Sequence, residues 1–202
     1  MSQQLCFSTY RDGLRALRKM KTPLVTVYGS HRFTPQSTSY RDAYALAEAL
    51  GKRGYGIVTG GGPGVMSAAN AGAMAAGTSS IGVRVPALSD LETSDDGILT
   101  HIITVRDLAL RRIIMAQYSQ ALVFYPGAFG TMDEIFEVLA LFSADLASAV
   151  PVICIKHDYW DGLFDWMRTA TAHYNTVADW DYYIRHVTIC DNHHDALRII
   201  TN

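Results

Sequence analysis

Short apolar runs alternate along this chain with stretches whose apolar residues recur every three or four positions. That rhythm sets the expected elements. Leu24–Tyr28, residues 55–59, 80–85, 99–105, 121–125 and 149–155, and Val187–Cys190 are short and largely apolar, and read as strands of a parallel sheet. Helical spacing is expected over residues 4–20, 40–53, 65–73, 106–119, from Met132 through Phe142, over 159–173 and over 193–200. Strand and helix in regular alternation predict a right-handed, doubly wound α/β sheet with helices on both faces. Residues 1–202 then form a single Rossmann-like domain, with residues 1–20 as a peripheral N-terminal helix packed outside it.

Glycine marks the turns that leave the strands. Gly29 and Ser30 end the first run, and Arg32 follows close by. Gly60, Gly61, Gly62 and Gly64 cluster after the second, which suits a backbone wrapping closely round an anion. Neither the dinucleotide fingerprint nor a Walker lysine is present. Counted from Gly60 or Gly62, G-x-G-x-x-G fails at Val65 or Ser67, and no acid follows residues 80–85 to hold a ribose. A mononucleotide fits better than NAD or ATP.

The third turn, Pro126-Gly127-Ala128-Phe129-Gly130-Thr131, separates the run 121–125 from a helical pattern. Backbone N–H groups at such a helix start can hold a phosphate. Glu134 and Glu137 lie three residues apart and share a helix face. Thr131-x-x-Glu134 is equally a capping box, and the local pattern leaves both readings open. In the preceding helical stretch Arg111 borders the apolar stripe, while Arg112 points elsewhere. The loop 86–97 carries Asp90, Glu92, Asp95 and Asp96 and reads as exposed, with the form of a lid.

Composition narrows the classes. The 202 residues are 49% hydrophobic and carry a formal net charge of -2, without a basic block, which gives no support to a nucleic-acid partner. The cysteines, Cys6, Cys154 and Cys190, are widely spaced and form no CxxC, so a reduced, cytoplasmic protein without zinc is expected. No run approaches the length of a membrane span, and no signal-peptide core opens the chain. Neither a metal site nor a cofactor is expected; the seven histidines show no ligand spacing.

Three segments, in order, resemble the LOG ("lonely guy") family: Thr59-Gly60-Gly61-Gly62-Pro63-Gly64-Val65-Met66, Arg111-Arg112, and Pro126-Gly127-Ala128-Phe129-Gly130-Thr131-Met132-Asp133-Glu134. Tyr28-Gly29-Ser30 and Tyr159-Trp160-x-Gly162-Leu163-x-Asp165-Trp166 extend the resemblance, which runs from about residue 24 to 200. It implies a Rossmann-like phosphoribohydrolase that releases the base from a nucleoside 5′-monophosphate, AMP or a cytokinin riboside monophosphate. The alternative is a non-catalytic nucleotide or cofactor carrier on the same fold.

The resemblance implies Arg111 and Glu134 as catalytic residues. It implies substrate contacts from Gly29, Ser30, Gly60, Gly61, Gly62, Gly64, Met66, Arg112, Gly127, Ala128, Phe129, Gly130, Thr131 and Glu137. It further implies a homodimer or higher homo-oligomer. Two positions depart from the family pattern. Arg112 stands where a lysine is typical, and Ala128 replaces the second glycine of P-G-G-x-G-T-x-x-E, where a methyl would exclude a positive φ.

Overall fold

The structure is a computed structural model, and it describes residues 5–7, 10–88 and 95–202. Its centre is an eight-stranded, all-parallel sheet, with helices covering both faces. The strands are β1 (Leu5–Phe7), β2 (Leu24–Tyr28), β3 (Gly56–Thr59), β4 (Ser80–Arg84), β5 (His101–Thr104), β6 (Ser119–Phe124), β7 (Val152–Ile155) and β8 (Val187–Cys190). The helices are α1 (Tyr10–Lys19), α2 (Thr38–Gly51), α3 (Val65–Ala75), α4 (Leu108–Gln117), α5 (Phe129–Ser143), α6 (His157–His173), α7 (Trp180–Ile184) and α8 (His193–Thr201). The doubly wound α/β sheet expected from the alternation is what the chain forms.

Strand order is β1-β5-β4-β3-β2-β6-β7-β8. From β2 the chain winds one way through β3, β4 and β5; from β6 it winds the other way through β7 and β8. The winding therefore reverses between β2 and β6. A crevice opens beyond the carboxyl ends of the strands at such a switch point, where ligands of open α/β sheets sit. Tyr28 pairs with Phe124 at that end, and the Ser30 N–H donates to the Pro126 carbonyl at 3.1 Å. The glycine turns after β2 and β6 are thus held side by side.

Alternation along each strand divides the core. On β2, Val25 and Val27 join Ala43, Leu46, Ala68 and Ala69 of α2 and α3 on one face. Leu24 and Tyr28 join Ile114, Met115, Ile135 and Trp160 of α4, α5 and α6 on the other. The period of two places Tyr28 and Phe124 on the second face and Tyr125 on the first. On the first face the Tyr125 hydroxyl donates to Asp42 at 2.8 Å, and the His193 backbone N–H donates to the same carboxylate at 3.1 Å.

Three expectations change. The peripheral helix of residues 4–20 is instead an edge strand, β1, paired in parallel with β5, followed by α1; residues 1–4 and 8–9 lie outside the described residues. The helix expected to reach Ser119 stops at Gln117, and Ser119 opens β6. Its hydroxyl lies 2.6 Å from that of Thr26, which pins it to β2. A short helix, α7, occupies residues the apolar pattern left unassigned. The core of the acidic loop, residues 89–94 with Asp90 and Glu92, lies outside the described residues; Asp95 caps a short 3-10 turn, Asp96–Ile98.

Asn70 is wholly buried in α3 and ties three elements together. It accepts from the Thr59 hydroxyl at 2.5 Å and donates to Ser80 Oγ at 2.9 Å, while Thr59 Oγ1 accepts from the Gly61 N–H at 2.9 Å. Asn70→Ala takes the acceptor from the buried Thr59 hydroxyl and a donor from Ser80 Oγ. It is expected to lower stability by about 2–3 kcal/mol in urea unfolding. Cys154 and Cys190 are free and buried, and burial pushes the Cys190 thiol up to about 11. Peptide mapping after maleimide treatment at pH 7.5 is expected to find neither labelled until the protein is unfolded.

Candidate active site

A cleft of about 250 Å³ opens at the switch point. Its walls come from the three glycine turns and the Arg111-Arg112 pair, while residues 159–166 do not line it. The β2 turn supplies Gly29, Ser30, His31 and Arg32; the second turn supplies Gly60, and α3 supplies Met66. From α4 come Arg111 and Arg112, and from the third turn and α5 come Ala128, Gly130, Thr131, Asp133 and Glu134. A second cleft of about 450 Å³ continues between α4 and α5, lined by Ile113, Glu137, Val138, Leu141 and Phe142 among others. Tyr28, Arg112 and Glu134 border both clefts.

Not every expected residue reaches a wall. Gly61, Gly62, Gly64, Gly127 and Phe129 lie outside both linings, and Glu137 lines only the second cleft. Gly61 and Gly64 shape the turn rather than face a ligand. Gly64 caps α3 at φ 71° and ψ −131°, and a β-carbon there would fall 2.3 Å from the Ser30 carbonyl oxygen. Only glycine permits that backbone and that approach. Gly61 presents its carbonyl to Arg84 Nε at 3.2 Å, and Arg84 also pairs with Asp96 at 2.5 Å. Gly127 lies beneath Thr131, and its carbonyl accepts from the Tyr159 hydroxyl. Phe129 is 92% exposed.

Gly60 has a different reason to be glycine. A β-carbon at this position would lie 1.9 Å from Arg111 Nη2 and 2.8 Å from Met66 Sδ. Arg111 is 5% exposed, so its guanidinium sits in the groove left by the bare Gly60 Cα, with Nη2 3.8 Å from Met66 Sδ. The second glycine turn and the basic pair on α4 are therefore one construction. Arg112, next in sequence, turns toward α5, pairing with Asp133 at 2.7 Å and with Glu137.

The start of α5 decides between the two readings of Thr131. Ala128 is the N-cap, and no side chain caps this helix. Thr131 is its third residue, so the capping box does not form and Glu134 lies beyond the first turn. The first N–H groups of α5 lack helical acceptors, and Gly130 and Thr131 of that turn line the cleft. Ala128 has φ −102°, outside the left-handed region, so the expectation of a blocked positive φ does not hold.

By sequence Tyr28 is the end of a buried strand and the first residue of the Tyr28-Gly29-Ser30 segment, without a site role of its own. It is 2% exposed and stacks on Phe124, with centroids 4.5 Å apart and planes 9° from parallel. Burial, and then the charges of Glu134 and Glu137, hold its phenol well above the usual tyrosine range, against a smaller opposing pull from Arg111. His31, Leu88, Leu108 and Met115 also line the first cleft without having been expected. Their sequence signals are those of ordinary loop and core residues.

Among the described residues no group of histidines, cysteines or acids could hold a metal, and no helix is long and apolar enough to cross a membrane. A model of the family described as "Possible lysine decarboxylase" matches residues 66–200. The probable cytokinin riboside 5′-monophosphate phosphoribohydrolase LOG6 of Arabidopsis thaliana is 34% identical over 103 residues, 50% of this chain and 51% of that protein. The chain thus spans about half the length of the curated plant relatives it matches. The cytokinin riboside 5′-monophosphate phosphoribohydrolase of Mycobacterium marinum is 27% identical over 161 residues, covering 77% of this chain and 82% of that one. Among solved structures, the molybdenum cofactor binding protein from Rippkaea orientalis superposes with a TM-score of 0.63 at 23% identity, over 90% of this chain and 97% of that one. That likeness is one of fold.

The two cap and cleft glycines are expected to respond differently to a methyl. Gly64→Ala meets backbone at a left-handed φ and should cost about 3 kcal/mol or more in urea unfolding. Gly60→Ala meets the end of a side chain, so it should cost clearly less while displacing the Arg111 guanidinium.

Proposed function

The chain belongs to the LOG family, and from that premise we propose that it hydrolyses the N-glycosidic bond of a nucleoside 5′-monophosphate. Water adds to C1′ as the C1′–N bond breaks, and the departing base takes up a proton; base and ribose 5-phosphate are the products. The observation that carries this reading is the convergence of Arg111 and Glu134 on one cleft that also contains the uncapped start of α5.

The phosphate sits at the α5 start, on backbone N–H groups near Gly130 and Thr131, with Ser30 and Arg32 opposite. Glu134, beyond the first turn, is placed for the sugar and not the phosphate. Its carboxylate stabilises the oxocarbenium-like transition state or activates the water. Arg111, fixed in the groove at Gly60, stabilises negative charge developing on the base. The base extends toward the second cleft, whose Val138, Leu141 and Phe142 give an apolar wall. Arg112 acts through its pairs with Asp133 and Glu137, which hold α4 and α5 in register and offset the acids near the phosphate.

The similar proteins are named for a cytokinin riboside monophosphate; the proposed substrate is that nucleotide or AMP, and a homodimer is part of the proposal. Ile113 on α4 and Phe136 on α5 present apolar surface, at 41% and 36% exposure, that a second copy would cover. A decarboxylase using a Schiff-base lysine finds no support, because no lysine lines either cleft.

Incubation with AMP and other nucleoside monophosphates, followed by chromatography, is expected to show free base and ribose 5-phosphate. Arg111→Ala and Glu134→Gln should each lower kcat/KM by about a hundredfold or more while the fold survives. Full activity in Glu134→Gln would remove that residue from the mechanism. Tight binding with no release from the unaltered protein would replace hydrolysis with the carrier reading.

A further inference from the structure

The two clefts meet at Tyr28, Arg112 and Glu134. If phosphate occupies the first cleft and base the second, the ribose that joins them crosses this junction. Arg112 is engaged by Asp133 and Glu137. That leaves one neutral polar side chain, Tyr28, beside the Glu134 carboxylate.

The placement of Tyr28 is rigid. Its ring lies on the same sheet face as Phe124, stacked on it, beneath α4 and α5, and only 2% of the residue is exposed. Tyr28 is therefore a fixed part of the wall of both clefts, not a mobile side chain. Burial and the facing carboxylates disfavour the phenolate, so the hydroxyl keeps its proton across the working pH range. A protonated phenol donates, and an ionised carboxylate only accepts. A sugar hydroxyl does both, and so satisfies the two groups at once.

Resting on the phosphoribohydrolase reading, we propose that the Tyr28 hydroxyl donates to a ribose hydroxyl that Glu134 accepts from, which makes Tyr28 the residue that selects nucleotides bearing that hydroxyl over the analogue lacking it. A phenylalanine in its place would keep the stack on Phe124 and lose the selection. The donor is matched to the ring hydroxyls and not to the phosphate, so its removal acts on one substrate group.

The test compares the protein with Tyr28→Phe on AMP, 2′-deoxy-AMP and 3′-deoxy-AMP. Both kcat/KM for base release and Kd on a Glu134→Gln background are measured. Removing the tyrosine hydroxyl should weaken AMP about tenfold, the size of one hydrogen bond to a polar group, and leave one of the two deoxy analogues nearly unchanged. The preference for AMP over that analogue then falls about tenfold in the variant. The intrinsic reactivity of deoxyribose cancels, because each ratio is taken between proteins on the same pair of substrates. An equal loss on all three nucleotides, or no loss, overturns the proposal and leaves Tyr28 a packing residue; urea unfolding distinguishes these by a shifted or unshifted midpoint. Should no base be released from AMP, the hydrolase reading fails, and the Kd ratios alone still decide the role of Tyr28. Should no nucleotide bind, both fall.

Discussion

A guanidinium packed against a bare Cα organises this site. Arg111 lies on α4, some fifty residues from Gly60 in sequence, yet its Nη2 occupies the space a β-carbon would take. Burying that cation is costly unless the surrounding groups are placed accurately. The fold supplies that placing from several directions. Asn70 and Thr59 hold the Gly61 N–H, Arg84 holds the Gly61 carbonyl, and Gly64 lets α3 start directly under Ser30. Disturbing any of these moves the wall against which Arg111 rests.

The topology explains why that wall faces a ligand. Parallel strands place all their carboxyl ends on one side, and the reversal of winding between β2 and β6 leaves the crevice there uncovered by a crossover helix. The turns after β2, β3 and β6 meet in that crevice, and α4 and α5 flank it. Charges in the crevice are arranged in opposition. Arg112 is committed to Asp133 and Glu137, while Arg111 and Glu134 border the cleft itself. Anionic and cationic groups so arranged suit a substrate with a phosphate at one end and a sugar that passes through positive charge at the other.

The proposed division of labour uses the whole length of α5. Its uncapped start meets the phosphate, Glu134 one turn further meets the sugar, and Val138 and Phe142 beyond it form the apolar wall for the base. A helix rises about 1.5 Å per residue, so Gly130, Glu134 and Val138 follow one another along one side of α5 at steps of about 6 Å. Tyr28, at the carboxyl end of β2, borders both clefts together with Glu134.

Periodicity determined the class of fold and most of its elements, because burial on a sheet face or a helix stripe is written in spacing, and the glycines marked the three turns. It located β8 to the residue. It misjudged what depends on partners distant in sequence. Residues 5–7 look helical by spacing, but an open edge at β5 recruits them as a strand. Ser119 looks like the end of a helix, but Thr26 draws it into β6. Thr131 and Glu134 fit a capping box, but the helix begins at Phe129. The reason Gly60 must be glycine, the commitment of Arg112 to two acids and the arrival of Tyr28 between two clefts were decided by tertiary structure only. Each is a contact across the sheet or between crossover helices, and no local pattern of residues encodes which distant side chain will fill a given space.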